Sequence, residues 1–441
     1  MRFRTLRQLS SLKLLTFTSN NLIELNGYRF ISTLNEQFKS DVLVIGGGIM
    51  GLSTAFWVKR SSPSTSVTVI EKDPQYAVCS TPRSVGGIRS HFSLAENVKL
   101  SMFSFDFLTR VNEYLNVNPE DVVDIGLVKK GYLYLATQKG LSTLIENHRV
   151  QQSCGASTQL LTPQQLKDKW PWLNVDDIAL GSYGFDKEGH FDPYRLLMAF
   201  RHKAQSLGVN YVHGTVTDFS GSCSPCKVDQ VIVDLAKNQS TARYSAQSII
   251  IAGGSECGSL SNQLIAQNKL TTLCPVNRRK RYVFAFKCDS LNGQQVPMLI
   301  DPSGVYCRGE GDNFIAGLSP EESEEPETND LEVDYNFFDE KIWPRLAERC
   351  TNFESVKVQS AWAGYYDFNQ LDENAIIGRD PVWTNLFWVT GFSGHGIQMG
   401  PAVGKCLSEL ILDGQYKTID CSRFGFERVI KGERLLETNI I

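Results

Sequence analysis

The chain predicts an α/β protein in which a parallel, helix-flanked sheet interleaves with a second, mainly antiparallel sheet. Three observations lead there. A strand–turn–helix–strand unit runs from Asp41 to Glu71, and strand-like segments follow one another without helices between Arg281 and Gly317. From Asn385 to Leu412 a strand, a glycine-rich turn and a helix close the chain much as it opened.

In the opening unit the apolar run Val42–Ile45 enters Gly46-Gly47-Gly48-Ile49-Met50-Gly51, a G-x-G-x-x-G sequence where strand turns to helix. Each glycine has its own task. Gly46 permits the tight turn, Gly48 lets the backbone approach a pyrophosphate, and Gly51 lets the helix Ile49–Arg60 pack closely on the strands. The helix N-terminus offers phosphates its free N–H groups and positive dipole end. A second strand, Val67–Ile70, ends at Glu71, whose carboxylate suits the two hydroxyls of a ribose. With these parts in order the stretch predicts a Rossmann-like dinucleotide site, and by itself it would serve NAD as well as FAD.

At 441 residues the chain exceeds the size at which single cores stop growing, so two units are expected. A formal net charge of −4 leaves no electrostatic footprint for nucleic acid. No apolar run reaches the length of a membrane span. Eleven scattered cysteines point to reduced thiols and not to a disulfide scaffold. Residues 1–40 differ in kind: six Lys/Arg stand against two Asp/Glu among many Ser and Thr, the make-up of a mitochondrial transit peptide. Arg29-Phe30-Ile31-Ser32-Thr33 looks like a matrix-protease site; the alternative is an exposed cytosolic leader.

After Glu71 the Ser/Gly-rich stretch Gln75–Phe92 suits a loop lying against a flat ligand. Leu94–Leu115 has apolar residues at helical spacing and predicts one long helix. The alternation from Ile125 to Thr137 predicts a hairpin of strands, with helices over Leu141–Gln152 and Pro163–Lys169. Asp192-Pro193 is an N-cap and first-turn pair opening a helix that Gly208 stops. Strands are expected at Val209–His213, Val231–Leu235 and Ser248–Ala252, the last apolar enough to rejoin the first sheet. Further strands fall at Arg281–Lys287, Pro297–Ile300, Val305–Arg308 and Phe314–Gly317, and a helix near Phe337–Arg349. The buried strand Asn385–Thr390 feeds Gly391-Phe392-Ser393-Gly394-His395-Gly396 and a helix Ile397–Leu412.

With the opening unit, the Gly87-Ile88 loop, Trp362-Ala363-Gly364, Ile376-Ile377-Gly378 and the GFSGHG turn in this order, residues 40–441 resemble the D-amino-acid oxidase/sarcosine oxidase family of flavoenzymes. The runs Ser84–Ile88, Phe92-Ser93-Leu94, Arg279–Val283, Gln359–Tyr366 and Asn439-Ile440-Ile441 are most similar to a mitochondrial member tied to assembly of respiratory complex I. The resemblance implies a transit peptide over 1–40, an FAD-binding unit over 41–118 with 176–255 and 368–441, and a substrate unit over 119–175 with 256–367. It implies that Gly46, Gly48, Gly51 and Glu71 hold the ADP part of FAD, that Thr81, Arg83 and Gly87 lie near the flavin, and that Gly391, Gly394 and Gly396 complete the site. N–H groups of that last turn would stabilise charge at the flavin N1/C2=O locus as hydride arrives at N5. Relatives with covalent flavin use a Cys before the strand that here reads Gly364-Tyr365-Tyr366, or a His in the N-terminal loop where this chain has Arg83; neither attachment residue is present, so the FAD is expected to be non-covalent. The Lys that activates oxygen in sarcosine-type oxidases corresponds to Ile315, which favours a dehydrogenase, and the Lys on the substrate carboxylate corresponds to Gln398.

The resemblance thus implies an FAD-dependent oxidoreductase of the mitochondrial matrix, oxidising a C–N bond of a small amine or N-substituted amino acid. The other reading is a non-catalytic FAD-binding scaffold for complex I assembly intermediates, peripheral to the inner membrane. His395, Tyr366 and Gln398 are the candidate catalytic residues, with Tyr365 on the packing side of its strand. Arg89 is weighed as a substitute carboxylate clamp against a backbone or phosphate contact. His91, His148, His190, His202 and His213 have no partner cluster in the sequence and are assigned structural or exposed places. Cys223-Ser224-Pro225-Cys226 has redox spacing without the strand-to-helix setting and reads as two thiols in a loop; no metal site is expected. Arg278–Arg281 is either pocket lining or a solvated run, and Glu321–Glu332 a solvated insertion.

Overall fold

The computed structural model describes residues 36–223, 226–237, 240–267 and 273–438, with strand positions Leu22–Leu25 and Tyr28–Ile31. The leader expected over 1–40 lies largely outside the described residues, as does the whole of the run 439–441.

In chain order the elements that build the site are β1 (Glu36–Ile45), α1 (Ile49–Ser61), β2 (Val67–Glu71), α2 (Ala95–Thr109), β3 (Tyr132–Ala136), β4 (Thr158–Leu161) and β5 (Leu180–Gly184). There follow α3 (Pro193–Ser206), β6 (Asn210–Cys223), β7 (Cys226–Leu235), β8 (Ser240–Ile251), β9 (Val276–Lys287), β10 (Met298–Ile300), β11 (Tyr306–Glu310) and β12 (Asn313–Gly317). The last are β13 (Lys357–Asn369), β14 (Ile376–Arg379), β15 (Leu386–Thr390) and α4 (Gly396–Asp413).

One sheet has the order β7-β6-β2-β1-β8-β15-β14. Its centre, from β6 through β2, β1 and β8 to β15, is parallel, with register Val42↔Val67 and Ile249↔Leu386. Parallel strands must be covered on both faces, and β1 shows how. Val42 and Val44 enter the apolar cluster beneath α1, α3 and α4, while Leu43 and Ile45 enter the cluster on the opposite face. The second sheet has the order β13-β9-β12-β11-β10-β3-β5-β4 and is antiparallel except for the β10–β3 pair. On one side it buries Phe284, Phe286 and Phe314 against Phe338 and Leu346; on the other Tyr132, Met298 and Ile300 face the first sheet.

Helix α4 lies along α1, because its glycines meet α1 directly. A Cβ on Gly400 would stand 2.6 Å from Ile49 Cγ1, and one on Gly404 would stand 2.2 Å from Ser53 Oγ. The contacts advance together along both helices, so α1 and α4 run parallel and their N-termini point the same way. Trp57 Nε1 fixes the pair by donating to the Pro401 carbonyl at 2.9 Å.

Several expectations change. The alternating run 125–137 is no hairpin: only Tyr132–Ala136 is a strand, and its neighbours are the distant β5 and β10. Local alternation identifies a half-buried strand but not its partner. The long helix over 94–115 breaks at Arg110, with Val111–Leu115 forming a separate turn. Strand β5 belongs to the second sheet, whereas the expected division placed 176–255 in the first unit. Cys223 ends β6 and Cys226 opens β7 as Cα partners of one antiparallel pair, so both lie at strand ends and not within a loop.

Candidate active site

The first sheet and the second enclose a cleft of about 810 Å³, lined by the opening glycine turn, Glu71 and the GFSGHG turn. The three motif glycines are there for three different reasons. Gly46 has φ +105°, and a Cβ would lie 2.3 Å from the Ala252 carbonyl oxygen. A Cβ on Gly51 would lie 1.9 Å from the Gly46 oxygen, so α1 could not seat on the turn. Gly48 alone is free of such constraint: its φ of −71° suits any residue, and a Cβ would meet Thr81 Oγ1 and Cys79 Sγ only at 3.5 and 3.7 Å. What that Cβ would occupy is cleft. This is the position where a pyrophosphate must approach the backbone, so the residues present fit a dinucleotide.

Glu71 caps the same turn. Its Oε2 accepts from Gly47 N at 2.7 Å and its Oε1 from Asp73 N at 2.8 Å. Burial pushes its pKa up against these hydrogen bonds. Thr81 takes the Ile49 N–H on its hydroxyl (3.3 Å) and thus closes over the start of α1. Arg83 is a brace: its guanidinium donates to the Ala77 and Ala363 carbonyls, tying the loop to β13. Gly87 pairs with His190, and a Cβ there would collide with the Tyr132 hydroxyl.

At the far end Gly391 and Gly394 have φ +77° and +103°, and Ser393 lies in the left-handed region at +47°. Asp367 pins this turn by accepting from Gly391 N (2.9 Å) and Phe392 N (3.1 Å). Burial pushes the Asp367 carboxyl up to about 6. A Cβ on Gly394 would sit 2.3 Å from the Tyr366 ring, so the ring packs directly against the glycine; one on Gly396 would press on Phe392 at 3.0 Å. Both helix N-termini, at Gly48-Ile49 and Gly396-Ile397, open into the one cleft.

A second cavity of about 60 Å³ adjoins the cleft, sharing Tyr366, Tyr306 and Gly394 with it as common wall. His395, Gln398 and Arg89 line its other side. Both ring nitrogens of His395 are buried without a partner among the described residues. Burial, and then the nearby charge of Arg89, lower its pKa to about 3, so the imidazole is neutral at physiological pH. Gln398 accepts from Arg89 N (2.9 Å) and the Ser101 hydroxyl (3.3 Å), which fixes its amide. The Arg89 guanidinium donates to the Tyr134 hydroxyl and lies 4.7 Å from the Phe92 ring centroid. Burial raises the pKa values of Tyr132, Tyr306 and Tyr366, so these phenols stay protonated.

Some assignments are corrected. His91 is fully buried in a cluster that the sequence did not reveal, with Nδ1 3.0 Å from Glu188 and Nε2 3.1 Å from Ser182. The insertion Glu321–Glu332 is largely solvent-exposed, as expected, but the two charge runs also pair with each other: Arg279 and Arg281 with Glu325, and Lys280 with Asp330. Tyr365 lines the cleft but not the small cavity, and its hydroxyl donates to the Thr328 and Asp330 carbonyls. Asp367, Tyr132 and Tyr306 were not singled out from the sequence. Asp367 lies two dozen positions before the turn it holds, and no periodic signal marks the tyrosines. Ile315 is buried, on the strand face opposite Phe314 and Ala316. Among the described residues no group of three or more His, Cys, Asp or Glu is placed to hold a metal.

The model of the DAO family, FAD dependent oxidoreductase, matches residues 41–410. The FAD-dependent oxidoreductase domain-containing protein 1 of Xenopus laevis is 44% identical over 424 residues, covering 91% of this chain and 85% of that one. The protein of the same description from Bos taurus is 42% identical, covering 91% and 87%. The crystal structure of L-proline dehydrogenase from P. horikoshii superposes with a TM-score of 0.76 at 26% identity, over 90% of this chain and all of that one. With a glycine turn open to the cleft at Gly48, two helix N-termini on one cleft and matches of this extent, the chain belongs to the DAO family of FAD-dependent oxidoreductases.

Proposed function

We propose that the protein oxidises a C–N bond of a small amine or N-substituted amino acid and passes the electrons to an acceptor other than oxygen. FAD supplies a hydride-accepting N5 when bound. The observation that carries the reading is the small cavity whose walls are shared with the FAD cleft. Its volume admits roughly four waters at the ~15 Å³ each needs, which suits a substrate of few heavy atoms. The chain orients that substrate between the protonated tyrosines and Arg89, whose positive charge faces the same space and suits a carboxylate at one end. Neutral His395 offers a single N–H where negative charge develops, with no ionised side chain needed as base. L-Proline dehydrogenase, by its name, acts on a secondary amine, and the buried Ile315 supports dehydrogenase over oxidase.

The basic, Ser/Thr-rich leader supports a place in the mitochondrial matrix, and the runs around Ser84–Ile88 and Gln359–Tyr366 support a part in complex I assembly, with or without turnover. The test is anaerobic: small secondary amines and N-methyl amino acids are added to the yellow protein and the flavin band is followed. Bleaching by one of them is expected. A flavin that stays oxidised across the panel, in protein that co-purifies with complex I intermediates, would move the assignment to the scaffold.

A further inference from the structure

The two charge runs meet at the wall of the FAD cleft. Glu325 accepts from Arg281 through both carboxylate oxygens, at 2.8 and 2.9 Å, and lies 3.1 Å from Arg279. Asp330 pairs with Lys280 at 3.0 Å. Between these latches the Tyr365 hydroxyl bonds the Thr328 and Asp330 carbonyls at 2.9 and 2.8 Å. The segment therefore lies across β9 and β13, and its Asn329, Asp330 and Leu331 form part of the cleft lining. Its attachment is mostly polar. From Glu321 to Asp334 it joins no strand, its only regular turn is Glu322–Glu324, and only Leu331 and Val333 pack against the apolar cluster below. Arg281, which holds Glu325, also lies 5.4 Å from the Tyr366 ring centroid, so latch and flavin site share a residue.

We propose that Glu321–Glu332 is an electrostatic lid on the FAD cleft, latched by Glu325 and Asp330 on the basic strand β9, which lifts for FAD to enter or leave. A segment held by charge pairs and few apolar contacts opens locally, below the cost of global unfolding. Salt weakens the latch from its exposed end, because the Asp330 side chain that holds Lys280 is 57% exposed. An insertion without this task has no reason to place its acids opposite four successive basic residues, Arg278 to Arg281, three of which it engages.

The test is the rate of FAD release from the holoprotein, read as flavin fluorescence after dilution into an FAD-scavenging apoprotein. Between about 0.1 and 1 M NaCl the Debye length falls from ~10 to ~3 Å, and release from the unaltered protein should accelerate about tenfold or more. The double variant Glu325→Gln, Asp330→Asn should release FAD fast already at low salt and lose the salt dependence. Glu327→Gln, at an exposed residue of the same segment outside these ion pairs, should behave as the unaltered protein. Salt-independent release, or a double variant indistinguishable from the unaltered protein, overturns the lid. The inference rests on FAD filling this cleft, so equilibrium FAD content is read separately: a protein that binds no FAD fails that reading and not the latch. Should the double variant not fold, hydrogen exchange on the unaltered holoprotein decides. Salt must speed exchange in 321–333 ahead of β9 and β13, and unchanged exchange there sinks the proposal.

Discussion

Gly48 and Gly51 stand three residues apart in one motif, yet substitution should separate them cleanly. A side chain on Gly48 meets open cleft, so Gly48→Leu should fold normally and bind FAD more than about a hundredfold more weakly, ~2.7 kcal/mol. Gly51→Ala forces a methyl into the Gly46 carbonyl and should cost folding stability first, about 1–3 kcal/mol. Flavin absorbance and a denaturant midpoint on each variant report the two effects; equal loss of both in each variant would dissolve the distinction. His395 adds a pH signature. Its folded pKa of about 3 lies below the ordinary 6.5, so the folded state binds fewer protons between these values. Its contribution to stability is present above pH 6.5 and is lost as pH falls toward 3. Asp367 has the opposite dependence. Its pKa is raised from 3.8 to about 6, so its ionisation removes stability as pH rises across that window. Asp367→Asn should flatten that loss, by at most ~3 kcal/mol and less because the carboxyl fronts the cleft. Urea midpoints between about pH 4 and 7 test both signs, and a variant that parallels the unaltered protein throughout would reject the Asp367 account.

Among the elements, the paired helices α1 and α4 determine whether the site exists. Gly404→Leu would drive a side chain into Ser53 and part the helices; we expect a loss of 3 kcal/mol or more, about the upper end for overpacking, together with weakened FAD binding. Retained FAD at reduced stability would mean that the two N-termini act independently. The helices and β1 were legible because a motif and a 3.6 or 2 period mark them. Their partners were not. β3 pairs with β5 and β10 across long stretches of chain, and alternation carries no address. The same limit hid the charge pairing: Arg279–Arg281 and Glu325 are separately obvious as runs, and only the fold of β9 against the crossing segment shows that they neutralise each other. His91 was missed for a like reason, since Glu188 and Ser182 come from a distant loop and strand.

At the scale of the molecule, FAD should act as a clamp between the two sheets, adding to the protein contacts that already join them, such as Asp367 on the Gly391–Phe392 turn. The cleft takes Gly46, Gly48 and Glu71 from the first sheet's turns and Arg281, Tyr306 and Tyr366 from the second. A ligand that binds only the native state at a hundredfold over its Kd adds about 2.7 kcal/mol, and it does so for every element it touches. Hydrogen exchange should therefore slow on FAD addition in β9 and β11 as well as in β1 and β2, and thermal unfolding should rise by a few degrees, roughly 2–4 °C per kcal/mol for a chain of this size or somewhat less. We expect no covalent bond to contribute, because Arg83, in the N-terminal loop, carries no nucleophile and its guanidinium is taken up by the Ala77 and Ala363 carbonyls. Acid precipitation should accordingly leave the yellow colour in the supernatant. Protection confined to the first sheet would show that the second does not close on the cofactor, and the small cavity would then lose its claim to be the place where substrate meets flavin.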